Sequence, residues 1–273
     1  MPQILGVKID SVIKTEARQQ AEIFLLGNGQ KKIFTPNPEM LVLAQKDAEF
    51  KNILNSGDLN LCDGFGIQLV SGFKIKRLTG VDFVLDLCGL AEVLGKSVFL
   101  LGTGDDEVLN QAVEKLHAQF PQLKIVGTDV GPEITLSFPR KRESSGHTRT
   151  LDPRFHGDDS VADGWVIDDT TNQTVINIIN QTKPDIIFVA FGQVKQEKWI
   201  NEFLPKLPSV KIAMGVGGSL DYISGHVSRA PLFFRQIGLE WVYRLAREPK
   251  RFGRIFNATV KFLYFYVRKS IKA

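Results

Sequence analysis

The sequence predicts an α/β fold: a mostly parallel, Rossmann-like sheet flanked by helices, with a C-terminal helical appendage. Short apolar runs alternate with stretches of helical periodicity over most of the chain. Several runs end in glycine followed by polar residues, which is typical of buried parallel strands. The last part of the chain has no strand signal and is basic and aromatic. We therefore divide the chain into an α/β body, residues 1–228, and an appendage, residues 229–273.

Composition and length favour a soluble globular protein with one large domain and an addition. The chain has 273 residues, of which 43% are hydrophobic and 23% are charged. Its two cysteines, Cys62 and Cys88, are too few for a disulfide framework, so a reducing cytoplasm is the expected location. The first residues lack the basic start and apolar core of a signal peptide. No apolar run approaches the ~18 residues of a membrane span.

Positive charge is concentrated at the C-terminus. From Arg244 to the end there are nine Lys or Arg and one acid, Glu248, so this tail has a net charge of +8. Since the whole chain carries +4, residues 1–243 carry a net −4. A basic tail on an acidic body predicts an anionic partner, which is membrane lipid, a phosphate-bearing substrate or nucleic acid.

The N-terminal part contains strand-like runs and the first candidate site residues. Residues 4–9 and 21–26 are both strand-like, with a helix-compatible stretch between them. Thr35 and Asn37 follow a short strand and precede a helix, where they either cap the helix or face a ligand.

Two further joins between elements contain charged residues. Asp63 follows the strand-like run 59–62 and is followed by glycine, a pattern that either projects a carboxylate into a cleft or forms a turn. Arg77 lies just before a predicted helix and is placed to bind an anion.

The clearest strand-to-glycine turn is residues 96–105, followed by a predicted helix over 107–120. It matches half of a dinucleotide-binding motif but lacks the third glycine of G-x-G-x-x-G. Two acids at the start of the helix would also repel a pyrophosphate. We interpret it as an ordinary turn between strand and helix, with nucleotide contact as the alternative.

Residues 135–163 interrupt the alternation, with no helical or strand period and a high content of Ser, Gly, Pro and charge. We predict a disordered insertion, because loops of this length are uncommon inside a compact α/β domain. The segment resembles peptides encoded by dispersed bacterial repeat elements, which implies no catalytic role for His147 and His156. A nucleic-acid-binding patch is disfavoured, because five Lys or Arg face five Asp or Glu.

The densest group of polar residues at a strand end is Phe191-Gly-Gln-Val-Lys-Gln-Glu-Lys-Trp199, which follows the strand-like run 185–190. Lys195 is suited to a phosphate, and Gln196 to a nucleobase or a sugar. The alternative is a helix N-terminus with ordinary polar residues. The polar side chains nearest the strand are Gln193, Lys195, Gln196 and Glu197.

A further strand, residues 210–218, ends in glycines and is followed by Asp221. Because the carboxyl ends of parallel strands lie at one edge of a sheet, polar residues from four strand ends are expected to converge there. These are Thr35 and Asn37, Asp63, Gln193 to Glu197, and Asp221.

The appendage is predicted to be helical and to lie on a membrane. Helical periodicity runs over 232–246, an aromatic stretch follows over 255–267, and basic residues surround it. A basic, aromatic, amphipathic segment too short to span favours a peripheral membrane anchor. The alternative is a C-terminal helix packed on the body.

Short motifs spread over nearly the whole chain except residues 135–163 support a family resemblance. They are Thr35-Pro-Asn-Pro-Glu39, Cys62-Asp-Gly-Phe-Gly-Ile67, Arg77-Leu-Thr-Gly-Val-Asp82, Phe99-Leu-Leu-Gly102, Phe191-Gly-Gln-Val-Lys-Gln-Glu197, Gly215-Val-Gly-Gly-Ser-Leu-Asp221, Arg229-Ala-Pro231 and Leu239-Glu-Trp-Val-Tyr-Arg244 with Glu248-Pro249. Together they resemble the WecG/TagA/CpsF glycosyltransferases, glycosyltransferase family 26. Two features depart from the family pattern. Val194 stands where proline is common, and the insertion at 135–163 is larger than usual.

The resemblance implies an inverting hexosyltransferase. It would move an N-acetylmannosamine-type sugar from a UDP donor to polyprenyl-diphosphate-linked GlcNAc at the inner face of the plasma membrane. The products of the family enter wall teichoic acid, enterobacterial common antigen or capsule. The donor stays open between UDP-ManNAc, its uronic acid and UDP-glucose, and a homo-oligomer stays open as well.

The resemblance also implies residue roles. Asp63 is the expected general base, which takes the proton of the attacking hydroxyl, and Thr35 lies close to it. The sequence has no D-x-D triplet, the usual carboxylate clamp for a metal-bound nucleotide sugar. We therefore expect no metal and no other cofactor, with arginines neutralising the diphosphate. The expected substrate-binding residues are Asn37, Arg77, Gln193, Lys195, Gln196, Glu197, Asp221, Arg229, Arg244, Arg251 and Arg254.

Two other classes of function fit the sequence less well. A nucleotide-dependent oxidoreductase would need the complete glycine fingerprint and an acidic ribose ligand ~20 residues later. A nucleic-acid-binding protein would use the basic tail, but the body is net acidic and no recognition motif occurs.

Overall fold

The computed structural model describes residues 2–137, 164–236, 238, 240–247 and 252–272. The strands in these residues are β1 (Gln3–Ile4), β2 (Val7–Lys8), β3 (Lys31–Phe34), β4 (Leu59–Asn60), β5 (Ser97–Gly102), β6 (Lys124–Asp129), β7 (Ile134–Ser137), β8 (Gly164–Ile167), β9 (Ile186–Ala190) and β10 (Ile212–Gly215). Six of them form one parallel sheet in the order β4-β3-β10-β9-β5-β6.

Helices cover both faces of this sheet, so the predicted α/β class is confirmed. In the body they are α1 (Lys14–Leu26), α2 (Pro38–Leu43), α3 (Ala48–Asn55), α4 (Phe65–Val70), α5 (Gly80–Leu94), α6 (Asp106–Gln119), α7 (Asp169–Thr182), α8 (Lys195–Phe203) and α9 (Ser219–Ser224). One apolar cluster, which we call the main core, lies on the face with α2, α3, α7 and α8 and includes the fully buried Trp199. The other lies on the face with α1, α5 and α6 and includes Phe83. Burial on both faces explains the continuous apolar runs of the central strands.

The prediction of a strand over residues 21–26 is wrong, because these residues form the end of α1. Ile23 and Leu26 are apolar but exposed, with 62% and 65% of their surface accessible. Because these exposed positions are apolar as well, residues 23–26 form a continuous apolar run that resembles a strand. Over a longer window the helical spacing is visible. The buried residues of α1 are Ala17, Ala21, Phe24 and Leu25.

Residues 4–9, predicted as one strand, form the antiparallel pair β1–β2 instead. The chain reverses at Leu5 and Gly6, which both have positive φ, 54° and 78°. The first turn of the body is thus set by a backbone conformation that the apolar pattern does not reveal.

The predicted insertion begins too early, because residues 135–137 belong to β7. This strand pairs with β8 in an antiparallel hairpin whose last pair is Ser137 with Gly164. Leu136 and Trp165 pack against the main core, which explains why the hairpin forms. Residues 138–163, with His147 and His156, lie outside the described residues.

The appendage is helical, as predicted. Its helices are α10 (Leu232–Gln236), α11 (Glu240–Arg247), α12 (Phe252–Phe256) and α13 (Phe262–Lys272), with a π-helical turn at Asn257–Lys261. The predicted helix over 232–246 is divided at Gly238, which has a φ of 76°. A Cβ atom there would lie 2.3 Å from Cδ2 of Phe65, so only glycine fits this turn. Within the described part of the chain, no helix has the length and apolar character needed to cross a bilayer.

The C-terminal helix is attached to the body at Phe262 and Tyr266. Phe262 is fully buried in the main core and lies against Gly66, whose Cβ position would be 3.4 Å from the ring. The Tyr266 hydroxyl donates to the carbonyl of Val70 at 2.9 Å. The alternative of a helix packed on the body therefore holds for this side of α13, while residues such as Ile271 (80% accessible) remain exposed on its other side.

Candidate active site

The carboxyl ends of four adjacent strands, β4, β3, β10 and β9, border a cavity of about 320 Å³, which we call the polar cavity. Parallel pairing brings the segments after these strands to one edge of the sheet. Six of the residues predicted from the sequence to meet at this edge of the sheet line the polar cavity. These are Thr35, Asn37, Asp63, Gln193, Gln196 and Asp221.

Asp63 and Thr35 both lie beside Gly80, the first residue of α5. The position that a Cβ atom of Gly80 would take is 3.5 Å from Thr35 Oγ1 and 3.6 Å from Asp63 Oδ2. The Gly80 N–H donates to Asp63 Oδ2 at 3.4 Å, and the Asp63 N–H donates to the Pro36 carbonyl at 3.0 Å. The carboxylate therefore lies at the N-terminus of a 15-residue helix, where the helix dipole favours an anion.

Asn37 caps a helix and lines the cavity at the same time. Its side-chain oxygen accepts the N–H of Met40 at 3.0 Å and so caps α2, which confirms the capping alternative. Because the oxygen is used in this way, the amide nitrogen is the group that Asn37 offers to the cavity.

A buried hydrogen-bond network lies at the start of α8. The Val194 N–H donates to Glu197 Oε2 at 2.6 Å, and Gln196 Nε2 donates to Glu197 Oε1 at 2.7 Å. Gln196 Oε1 accepts the N–H of Gly217 at 2.8 Å, which connects the loop after β9 with the loop after β10. Burial raises the pKa of Glu197 to about 7, although the hydrogen bonds from Gln196 and Val194 oppose this shift.

Three predicted substrate-binding residues, Lys195, Glu197 and Arg229, line neither of the two cavities described for this structure. The Lys195 ammonium donates to the Ile134 carbonyl of β7, and burial lowers its pKa. The Arg229 guanidinium donates to the Asp82 carboxylate at 2.8 and 3.4 Å. These contacts attach α8 to the β7–β8 hairpin and the appendage to α5.

A second cavity of about 500 Å³, which we call the apolar cavity, lies between the body and the appendage. It shares Asn37 and Asp63 with the polar cavity, so Asp63 lies where the two cavities meet. Its polar lining includes Glu39, Arg77 and Glu240. Most of its lining is apolar and includes Phe65, Leu69, Trp241, Ile255, Ala258, Phe262 and Leu263.

The predicted arginines are placed differently from one another. Arg77 lines the apolar cavity, and its guanidinium also donates to the carbonyl of Arg235 in α10. Arg244 and Arg254 lie in α11 and α12, but their side chains are outside the described part of the structure, and Arg251 lies outside the described residues. Their contact with a diphosphate stays a prediction.

The acidic residues of the site are spread over several elements. Asp63 and Asp221 follow different strands, and Glu39 and Glu240 line the apolar cavity from α2 and α11. The described residues include no group of three or more His, Cys, Asp or Glu side chains arranged to hold a metal ion. Metal-independent transfer stays a prediction.

The sequence prediction assigned arginines of the appendage to the site, but it did not identify the apolar residues of the appendage that line the cavity. Trp241 and Leu263 line the apolar cavity, yet their spacing indicates only an amphipathic helix, because the covered face depends on how the appendage packs. Arg235 of α10 lines neither cavity, although its Nε atom is buried and has no hydrogen-bond partner among the described residues.

Comparison with known proteins identifies the family of this chain. A relative from Bacillus subtilis (strain 168), named N-acetylglucosaminyldiphosphoundecaprenol N-acetyl-beta-D-mannosaminyltransferase, is 31% identical over 229 residues, 82% of this chain and 75% of the relative. Relatives of the same name from Bacillus spizizenii and Staphylococcus aureus (strain MW2) are 29% and 28% identical. They cover 91% and 96% of this chain and 84% and 90% of their own length. The profile of the Glycosyl transferase WecG/TagA/CpsF family matches residues 2–273. The chain therefore belongs to the Glycosyl transferase WecG/TagA/CpsF family, as its motifs indicated.

Proposed function

We propose that this chain transfers an N-acetylmannosamine-type sugar from a UDP donor to a polyprenyl-diphosphate-linked GlcNAc acceptor, with inversion at the anomeric carbon. The observation that supports this most strongly is the position of Asp63 at the junction of the polar and apolar cavities. Transfer from a water-soluble donor to a lipid acceptor needs such a junction, because each substrate must reach the same carboxylate from its own side. The name shared by the relatives agrees with this acceptor and this sugar.

The polar cavity suits the donor. Gln193 and Gln196 present amide groups and Tyr222 a phenol, which are suited to the polar edges of uracil, ribose and the sugar. Gly217 and Gly218 let a phosphate approach the backbone closely, because glycine has no side chain. This cavity would therefore hold UDP with its sugar directed toward Asp63.

The apolar cavity suits the acceptor. Phe65, Trp241 and Leu263 provide an apolar surface for the first isoprene units. Arg77, which lines this cavity, would bind the diphosphate of the acceptor, since a guanidinium donates to phosphate oxygens in a bidentate manner. The GlcNAc would then lie next to Asp63.

The reaction needs one base. The acceptor hydroxyl attacks the anomeric carbon as its proton passes to Asp63, while the bond to the UDP oxygen breaks and UDP leaves with the electron pair. A single displacement inverts the configuration and forms no covalent enzyme intermediate. Thr35 would hydrogen-bond the carboxylate or the sugar, and the position of its hydroxyl beside the same Gly80 supports this role. The negative charge of UDP would be neutralised by arginines of the appendage, for which Arg244, Arg251 and Arg254 are the candidates.

The exposed side of the appendage supports a peripheral location at the inner face of the plasma membrane. Phe252, Tyr264 and Ile271 are exposed there, and Arg268 and Lys269 lie on the same C-terminal segment. Apolar and basic residues on one helix are typical of segments that bind anionic lipid surfaces. Salt-sensitive binding to anionic vesicles, without binding to oligonucleotides, is the expected result.

A transfer assay tests the proposal. It uses the full chain, a short-chain lipid-diphosphate-GlcNAc acceptor, UDP-ManNAc and EDTA, and it measures acceptor-dependent UDP release and the mass of the lipid product. Parallel reactions with the uronic acid donor and with UDP-glucose identify the sugar, and Mg²⁺ in place of EDTA tests metal independence. If a folded protein transferred none of these sugars, with EDTA or with Mg²⁺, the proposal would be wrong.

A further inference from the structure

We propose that Glu197 is a positioning residue of the donor site, where its ionised carboxylate orients the Gln196 amide and, through it, the Gly217 peptide. Glu197 does not line either cavity, whereas Gln196 and Gly217 both line the polar cavity. Glu197 therefore acts through its neighbours. The donor role rests on the proposed function, but the hydrogen-bond network is a property of the protein without ligand.

The N–H groups of Val194 and Gly217 determine how the side chains of Gln196 and Glu197 are oriented in this network. The N–H groups of Val194 and Gly217 must point at acceptors, which are Glu197 Oε2 at 2.6 Å and Gln196 Oε1 at 2.8 Å. The Gln196 amide nitrogen is then directed at Glu197 Oε1, at 2.7 Å. The orientation of the Gln196 amide thus follows from the backbone.

This arrangement suits an ionised carboxylate, whose two oxygens accept from the Gln196 amide and from the N–H groups of Val194 and Glu197. A proton on Oε1 would point at the Gln196 NH₂ group, and a proton on Oε2 would point at the Val194 N–H. A flip of the Gln196 amide would remove the first conflict but would turn its NH₂ group toward the Gly217 N–H. Each protonated form therefore weakens at least one of these hydrogen bonds, because a carboxylic acid offers fewer and weaker acceptor sites than a carboxylate.

The surroundings leave these side chains little freedom to rearrange. Glu197 is completely buried and Gln196 is 3% accessible. A Cβ atom on Gly215 would lie 2.8 Å from Gln196 Nε2 and 3.0 Å from Glu197 Oε1, so the backbone of β10 packs directly on both. Val194 has a φ of 72°, a rare conformation for a β-branched residue, and its bond to Glu197 stabilises it.

The charged groups near Glu197 either bind other partners or lie across the polar cavity. Lys195 binds the Ile134 carbonyl, Lys198 binds Asp47 and Glu49, Lys32 binds Ser56 and Asn201, and Asp63 and Asp221 line the polar cavity. Burial is therefore the main cause of the raised pKa of Glu197. Because this pKa is about 7, the Glu197 carboxylate changes its charge in the physiological range. Protonation would release the Gly217 peptide from Gln196 and loosen the wall of the polar cavity. Donor affinity should then fall by up to about tenfold per pH unit below about 7.

Two variants separate positioning from simple stabilisation. Glu197→Gln imitates the protonated form, because two facing amides cannot satisfy both backbone donors. The double variant Gln196→Glu/Glu197→Gln restores the match: the carboxylate at position 196 accepts from Gly217 and from the amide at position 197, whose oxygen accepts from Val194. Glu202→Gln, an exposed position on the same helix, is the matched control.

The first measurement is a pH titration of the Gly217 and Val194 amide resonances by ¹⁵N NMR, between pH ~5.5 and ~8.5, in the ligand-free full chain. Both should shift together with a midpoint near 7 in the wild type and in the control. In Glu197→Gln the shift should be lost and amide protection at Gly217 should fall about tenfold, whereas the double variant should regain protection. Titration of the two amides with separate midpoints would overturn the network, and this result needs no variant to fold. Absence of titration in both would overturn the pH dependence, because the carboxylate would then stay ionised over the whole range.

The second measurement is calorimetric binding of UDP-ManNAc without acceptor. Wild-type affinity should fall below pH ~7, and Glu197→Gln should bind about tenfold or more weakly at every pH. Equal affinity of wild type and Glu197→Gln would overturn the inference while leaving the proposed function intact. If the amides titrate as expected but the wild type binds no UDP-sugar, the proposed function fails, and with it the donor role of Glu197.

Discussion

The Arg229 guanidinium and the Asp82 carboxylate form an ion pair, with nitrogen–oxygen distances of 2.8 and 3.4 Å, that joins the start of the appendage to the first turn of α5. The Thr79 hydroxyl donates to the same carboxylate at 2.6 Å. Burial alone would raise the pKa of Asp82, but the hydrogen bonds from Arg229 and Thr79 outweigh it and lower the pKa below its ordinary value. Because α5 begins at Gly80, beside Asp63, the pair links the position of the appendage to that of the expected base.

A double-mutant cycle of Arg229→Gln and Asp82→Asn should show that the pair is structural. Each single variant should lower the free energy of unfolding by only about 1 kcal/mol, because the pair is partly exposed. Most of this loss should appear in the cycle as interaction energy between Arg229 and Asp82. The two variants should also have equal effects on the KM for the donor. A clearly larger KM for Arg229→Gln than for Asp82→Asn would instead support the substrate contact predicted for Arg229 from the sequence.

The Arg229–Asp82 ion pair also predicts how the stability of the protein changes with pH. Because the folded pKa of Asp82 lies below its unfolded value near 3.8, its stabilising contribution is complete above that value. It should be lost as the pH falls through the folded pKa. The difference in unfolding free energy between wild type and Asp82→Asn should therefore shrink only in acid, below about pH 4. A difference that shrank between pH 5 and 8 would assign the titration to another group.

Asp63→Asn should abolish transfer while leaving UDP binding largely intact. Asparagine keeps the size and one acceptor oxygen of the side chain but takes no proton, so kcat should fall at least about 100-fold. Calorimetry with UDP and the transfer assay measure the two effects separately. Asp221→Asn is the comparison within the same cavity and should change mainly the KM for the donor. Full activity of Asp63→Asn would exclude it as the base.

The sequence predicted the site residues that follow the strands of the parallel sheet. It did not predict the residues whose position depends on how the loops and the appendage pack. Asp63 and Asp221 follow buried apolar runs that the sequence shows directly, and parallel pairing then brings them together. Lys195 and Glu197 were grouped with Gln196 because they are neighbours in the sequence. Which of these side chains faces the cavity is decided by the backbone at Val194, whose positive φ leaves no trace in the apolar pattern.

Val194→Pro should destabilise the protein although proline is common at this position of the family pattern. Val194 has φ 72° and ψ −52°, whereas proline fixes φ near −65° and lacks the N–H that donates to Glu197. The free energy of unfolding should fall by about 3 kcal/mol or more, measured by denaturant unfolding. Val194→Ala keeps the N–H and is the control, which loses only the packing of one buried side chain. A fully stable Val194→Pro protein would mean that this loop has a different backbone in solution.

Replacement of residues 138–163 by Asn-Gly should leave the fold and the activity unchanged. Ser137 and Gly164 are paired at the end of the β7–β8 hairpin, so a two-residue turn is able to connect them directly. The shorter connection should cost less closure entropy, so thermal stability should be equal or higher. Activity lost by a variant with unchanged unfolding temperature would show that the segment has a role in the reaction.

The exposed side of α13 should control access to membrane-embedded acceptor. Val267 and Ile271 are 53% and 80% accessible, and Phe262 on the other side of the helix is fully buried. Val267→Glu/Ile271→Glu should therefore leave folding unchanged and weaken binding to anionic vesicles about tenfold or more, since it removes apolar contact and adds negative charge. Val93→Glu, on an exposed position of α5 in the body, is the matched control and should bind vesicles normally.

The two acceptor forms make this test specific. Because the substituted residues do not line either cavity, transfer to a short-chain, water-soluble acceptor should stay within about twofold of wild type. Transfer to a long-chain acceptor in anionic vesicles should fall together with vesicle binding, and the wild type should show the same loss at ~0.5 M salt. Equal loss with both acceptors would mean that α13 shapes the site itself. Unchanged vesicle binding would mean that another surface of the protein meets the membrane.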